Sequence, residues 1–162
     1  MRQVPGALIL LALLLPQPSL ADDAAAQLVG SWRLVSFQVK AVGEDAPPRD
    51  VFGPHPSGRL ILTPARTMAA FISKPDRKPP TSEAEAAALL SSMVAYTGKF
   101  RLEGDKFITV VDGAWNEIYK AREQVRFFTV GGNTLSIRTA EMPSGLLPGK
   151  VTVGTLVWER EE

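Results

Sequence analysis

Side chains able to do chemistry are few in this chain, and His55 is its single histidine. It sits in Gly53-Pro54-His55-Pro56, a rigid loop, where a surface or loop-bracing role competes with that of a general base or haem ligand. One histidine builds no multi-histidine metal site, and a Ser-His-Asp arrangement would have to run through it alone. Cysteine is absent, which removes disulfides, thiolate metal sites and a cysteine nucleophile. The sequence has no P-loop, no G-x-G-x-x-G and no metal-spaced carboxylate cluster. Asp112 and Glu123 flank the segment around Trp115, but acids at that separation are usually solvated. No catalytic residue, metal or cofactor is therefore assigned. What remains suits holding rather than reacting: Phe71, Tyr96, Phe100, Trp115, Gln124 and Arg126 mix aromatic faces with hydrogen-bonding ends, as an apolar ligand with one polar or acidic end requires. Core packing is the competing account of Phe71 and Phe100, and an outward salt bridge that of Arg126.

These residues act together only if strands bring them to one hollow. Eight β-rich runs cover Gly30–Val42, Gly58–Thr63, Thr67–Ser73, Thr97–Leu102, Lys106–Val111, Gln124–Val130, Thr134–Thr139 and Val151–Glu159. Pro64-Ala65, Glu103-Gly104-Asp105 and Gly131-Gly132-Asn133 supply tight turns between them, so sequence neighbours pair antiparallel. Alternation is clear where Gly98, Phe100 and Leu102 oppose Thr97, Lys99 and Arg101, and again where Leu135 and Ile137 oppose Ser136 and Arg138. One segment breaks the pattern. Ser82-Glu83-Ala84-Glu85 reads as a capping box opening a helix over Glu83–Ala95, with Ala86, Leu89, Leu90 and Met93 on the face turned to the sheet. The proline-rich Lys74–Pro80 before it reads as a stiff exposed connector.

An all-β fold follows, an eight-stranded antiparallel up-and-down barrel with one helix between strands three and four that covers one opening without filling it. A long meander without Greek-key spacing favours closure over a sandwich, because closure leaves no exposed edge. Eight strands enclose room for side chains or one small ligand. Trp32 on the first strand would plug the closed end, with Gly30 letting the backbone pass close by. Parity then turns Leu34, Ser36 and Gln38 inward.

The first 21 residues read as a signal peptide: Arg2, an apolar run Ala7–Leu15, Pro16 and Pro18, then Ser19-Leu20-Ala21 as a cleavage site. The run is shorter than the ~20 residues a spanning helix needs, so stable membrane insertion is not expected after cleavage. Residues 22–162 form one domain, exported to a periplasm or outside the cell. Lys plus Arg number 18 and Asp plus Glu 17, so losing Arg2 with the leader leaves a neutral chain. That balance offers no field for nucleic acid or anionic lipid.

Gly30-Ser31-Trp32 near the start, with Arg160 in TLVWERE near the end, resembles the lipocalin pattern, in which an arginine of the last strand lies over the tryptophan. A closer resemblance is to bacterial and fungal lipocalin-like domain proteins, carried by LVGSWRLVSF, FGPHPSGRLILTP, EAEAAALLSSMVAYTGKF, EQVRFF and TLVWERE in that order. The resemblance implies an eight-stranded calyx with a helical insertion, and Gly30, Trp32 and Arg160 as its structural motif. Many members carry histidines where this chain has Ile108-Thr109-Val110-Val111, so no histidine chemistry carries over.

The expected function is that of a secreted module binding a small hydrophobic ligand in its barrel. Two alternatives stay open: a small-barrel enzyme of cyclase or isomerase type, with Tyr96, Arg126 or Asp112 as acid, base or anion holder, and a filled barrel with a structural or partner-binding role.

Overall fold

Alternate residues of successive strands are buried, and this period of two lets one sheet roll up around its own apolar face. The computed structural model describes residues 26–144, 147 and 149–162; the expected leader, 1–21, lies outside the described residues. The strands are β1 (Gly30–Ala41), β2 (Arg49–Asp50), β3 (Ser57–Leu62), β4 (Thr67–Ser73), β5 (Met93–Glu103), β6 (Lys106–Ala114), β7 (Gln124–Gly131), β8 (Thr134–Thr139), β9 (Met142–Pro143) and β10 (Val151–Arg160). β1, β3, β4, β5, β6, β7, β8 and β10 pair antiparallel in that order, and β10 returns to β1. The result is the expected closed eight-stranded barrel. The two-residue strands β2 and β9 extend it at one end, beside Gln38–Val39 and Val151–Thr152.

The helix α1 (Glu83–Ser91) corrects the sequence reading in three ways. It joins the fourth and fifth strands, not the third and fourth, because the short β2 adds one to the count. It stops at Ser91, and Met93, Val94 and Ala95 belong to β5, where they pair with Ser73, Ile72 and Phe71. None of its residues is buried, so it does not press an apolar face onto the sheet. An alanine-rich helix has little to bury. Ser82 Oγ accepts from the Glu85 amide at 3.2 Å as expected, but the Glu85 carboxylate turns to the Thr81 amide and hydroxyl.

Parity along β1 is also corrected. Leu34 pairs with Trp158 and Ser36 with Val157, so Val35 is an extra residue, a β-bulge. One added residue exchanges the two faces beyond it. Phe37, Val39 and Ala41 therefore turn inward, while Gln38 bonds Asp50 on the outside at 3.0 Å.

The floor end is solid. Leu28, Trp32, Leu62, Met68, Phe107, Leu135 and Trp158 are at most 2% exposed, filling the barrel where β1 begins and β10 ends. Glu161, just past β10, seals this end from outside: it accepts two bonds from Arg59 at 2.8 Å each and one from the Ser31 hydroxyl. Those bonds, Arg59 first, hold its carboxyl below the ordinary value. A depressed folded-state value gives stability that is present above the unfolded value and lost as pH falls through the folded one. The melting temperatures of wild type and Glu161→Gln should therefore differ by a constant amount above the ordinary carboxylate range and converge as pH falls below it; a gap unchanged through acid would contradict the assignment.

Candidate functional site

At the opposite end the inward-facing side chains leave a cavity of about 320 Å³. Its apolar wall comes from Phe37 and Val39 of β1, Phe52, Ile72, Val94 and Leu156. Thr139, Thr152 and Gly154 form a second side, where Gly154 keeps the wall thin: a Cβ there would stand 3.3 Å from the Phe37 ring. A larger depression of about 480 Å³ over Arg33, His55, Arg59 and Phe71 is an open groove on the outer surface.

Trp115, Tyr119 and Tyr96 line one rim as a continuous aromatic run, with ring centroids 4.5 Å apart for Trp115 and Tyr119 and 5.5 Å for Tyr119 and Tyr96. Local sequence explains the placement. Asn116 caps the 3-10 helix Glu117–Ala121 by accepting from the Ile118 amide at 3.1 Å. That turn sends Ile118 to solvent and Tyr119 to the cavity. The Trp115 indole N–H donates to the Leu90 carbonyl at 3.1 Å and so ties the end of α1 to the rim. Of α1 itself only Ser91 reaches the cavity wall.

Among the described residues Arg126 is the one charged side chain lining the cavity, and it is 8% exposed. Its β7 neighbours Gln124, Phe128 and Val130 share its face. Nη1 donates to the Val125 carbonyl at 2.9 Å and Nη2 to Gln124 Oε1 at 3.2 Å. Gln124 is in turn fixed by donating to the carbonyls of Tyr119 at 2.9 Å and Arg122 at 3.1 Å. The guanidinium is thus aimed by a short relay anchored in the 3-10 helix. Burial raises the Tyr119 phenol above its ordinary value, Tyr96 adds to the effect, and the charges of Arg126 and Arg122 oppose it.

Of the residues singled out by sequence, Tyr96, Trp115 and Arg126 come together on the cavity, and Gln124 stands directly behind Arg126. Phe71 and Phe100 do not join them. Phe71 is 41% exposed on the outer face, while Phe100 packs edge-on against Phe107 in the core, ring centroids 6.3 Å apart. His55 is exposed beside the outer groove. Asp112 accepts from the Thr97 hydroxyl at 2.6 Å and Glu123 pairs with Arg101 at 2.7 Å, so the two acids do not converge. Gly30, Trp32 and Arg160 meet at the floor, where the Arg160 guanidinium carbon lies 4.1 Å from the indole centroid. Tyr119, Phe37 and Phe52 are cavity residues that sequence reasoning missed; the Trp115-Asn116 pair, with asparagine placed to cap a turn, was the available signal for Tyr119.

The model of one family, described as a lipocalin-like domain, matches residues 29–161. No relative emerges from the curated proteins.

Proposed function

This chain belongs to the lipocalin-like domain family, and from that premise we propose that it is a binding module that holds one small, largely apolar molecule in the open end of its barrel. The cavity carries the reading: about 320 Å³ of space lined mainly by aliphatic and aromatic side chains, over a floor that is filled. Ligand sites generally run from about 300 to 1,000 Å³, so the occupant is small. Of the residues the enzyme reading would use, Tyr96 and Arg126 line the cavity, whereas Asp112 accepts from the Thr97 hydroxyl outside it. With His55 and Glu123 also away from the cavity, no carboxylate or imidazole among the described lining residues stands ready as a general base, which favours binding over catalysis. Export with cleavage after Ala21 belongs to the same proposal and rests on the apolar run Ala7–Leu15 followed by Ser19-Leu20-Ala21.

Native mass spectrometry with the neutral apolar probe N-phenyl-1-naphthylamine tests the reading. One adduct per chain is expected for wild type. Val94→Trp, which puts an indole into the cavity from β5, should abolish that adduct while leaving a cooperative melt. A wild-type protein that takes up no probe would contradict the proposal, and chemical conversion of a bound molecule would replace it with the enzyme reading.

A further inference from the structure

We propose that the ligand of this cavity is a monoanion, an apolar body ending in a single carboxylate, with Arg126 as its anchor and Gln124 as the residue that positions Arg126. The inference rests on the binding reading above and gives it a ligand class. A guanidinium offers five N–H donors, and the two bonds described for Arg126 go to a neutral carbonyl and a neutral amide oxygen. Among the described residues Arg33, Arg59, Arg101, Lys120 and Lys150 each pair with a glutamate, and of the cations that pair with no carboxylate Arg126 alone is buried. Those five cations sit where water screens them. Arg126 does not, and a buried charge is ordinarily paired because desolvation penalises it. Tyr119 does not supply the negative charge, since burial keeps its phenol protonated to higher pH than usual.

The shape of the site narrows the anion. With Arg126 the one cation among the described wall residues, a single negative charge is neutralised, while a phosphate dianion would keep an uncompensated charge in the apolar hollow. A planar guanidinium held by Gln124 also suits the two oxygens of a carboxylate. Trp115, Tyr119, Tyr96 and Phe37 then line the space left for the apolar body.

The test is displacement of N-phenyl-1-naphthylamine from the intact domain by octanoate and by octan-1-ol, which share a chain and differ in charge. Wild type should bind octanoate more tightly, and the preference should fade as pH falls through the carboxylate's own titration. Arg126→Gln should weaken octanoate roughly tenfold to a hundredfold, the loss of a charge-assisted hydrogen bond, and leave octan-1-ol unchanged. Arg126→Lys should recover part of the preference. Gln124→Leu should weaken octanoate selectively, by less than Arg126→Gln; a purely structural role would weaken both competitors together. Equal weakening of both by Arg126→Gln, or a wild-type preference that ignores charge and pH, overturns the inference and leaves the binding reading intact. Should the Arg126 variants not fold, the pH dependence of the wild-type preference decides alone. Failure of wild type to bind the probe overturns the binding reading itself.

Discussion

Trp32→Ala should destabilise the barrel by about 3–5 kcal/mol, the range for truncating a large buried aromatic. Trp32 is 0% exposed, and its indole N–H donates to the Leu28 carbonyl at 2.9 Å. Removing the ring opens a void in the filled floor and leaves that buried carbonyl without its partner. Arg160 sits across the strand pair from Trp32, stacks on the ring and donates to the Val29 carbonyl at 2.8 Å. Gly30 is what makes the stack possible. A Cβ there would stand 2.5 Å from Arg160 Nη1, and the backbone φ of +145° is one that other residues rarely adopt. Arg160→Ala should cost less than Trp32→Ala, and the double mutant should reveal coupling of about 0.5–2 kcal/mol. Denaturant melts of the three variants measure it, and strictly additive losses would show that the stack contributes nothing.

Gly98→Ala should also be clearly damaging although it adds a single methyl. The new carbon would meet the Val110 carbonyl oxygen at 2.2 Å and the Thr109 methyl at 2.9 Å. Backbone cannot step aside as a side-chain tip can, so β5 and β6 must part where their register already shifts between Thr97 and Gly98. Overpacking of this kind costs about 1–3 kcal/mol or more. Gly131→Ala is the matched control, because nothing lies within 4 Å of the added carbon; it should change stability by less than about 0.5 kcal/mol. Melts in which the two variants behave alike would refute the close approach of β5 and β6.

Closure of the barrel was legible because its signals are local and agree. Gly98, Phe100 and Leu102 face inward as their alternation says, and Gly104 and Gly132 take the positive φ that their turns demand. The plug was legible for the same reason, since Trp32 and Arg160 are register partners on neighbouring strands. The bulge at Val35 was not. No residue type there announces an extra residue, yet it turns Phe37 and Val39 into cavity wall in place of Ser36 and Gln38. Phe71 misled because aromatic character suggests burial, but Met68, Ala70 and Ile72 already fill the inward face of β4.

The direction of Arg126 was hidden for a different reason: Gln124–Gly131 carries large apolar residues on both faces. Phe127 is outward and is covered by Arg138, 4.5 Å from its ring centroid, and by Lys106 at 5.5 Å. Cations thus shield one phenylalanine from water while its neighbour Phe128 packs on the core. Only the pairing of Arg126 with Phe107 and Thr139 sets which face is which. Pairing is a property of the assembled sheet, so no window of sequence contains it.

The central claim is that the open end of this barrel encloses an apolar ligand, and calorimetric titration of N-phenyl-1-naphthylamine at several temperatures tests it most directly. Enclosure predicts one site per chain with a negative heat-capacity change, the signature of apolar surface leaving water, and loss of both in Val94→Trp. Absence of saturable binding, or binding that Val94→Trp leaves unaltered, would contradict it.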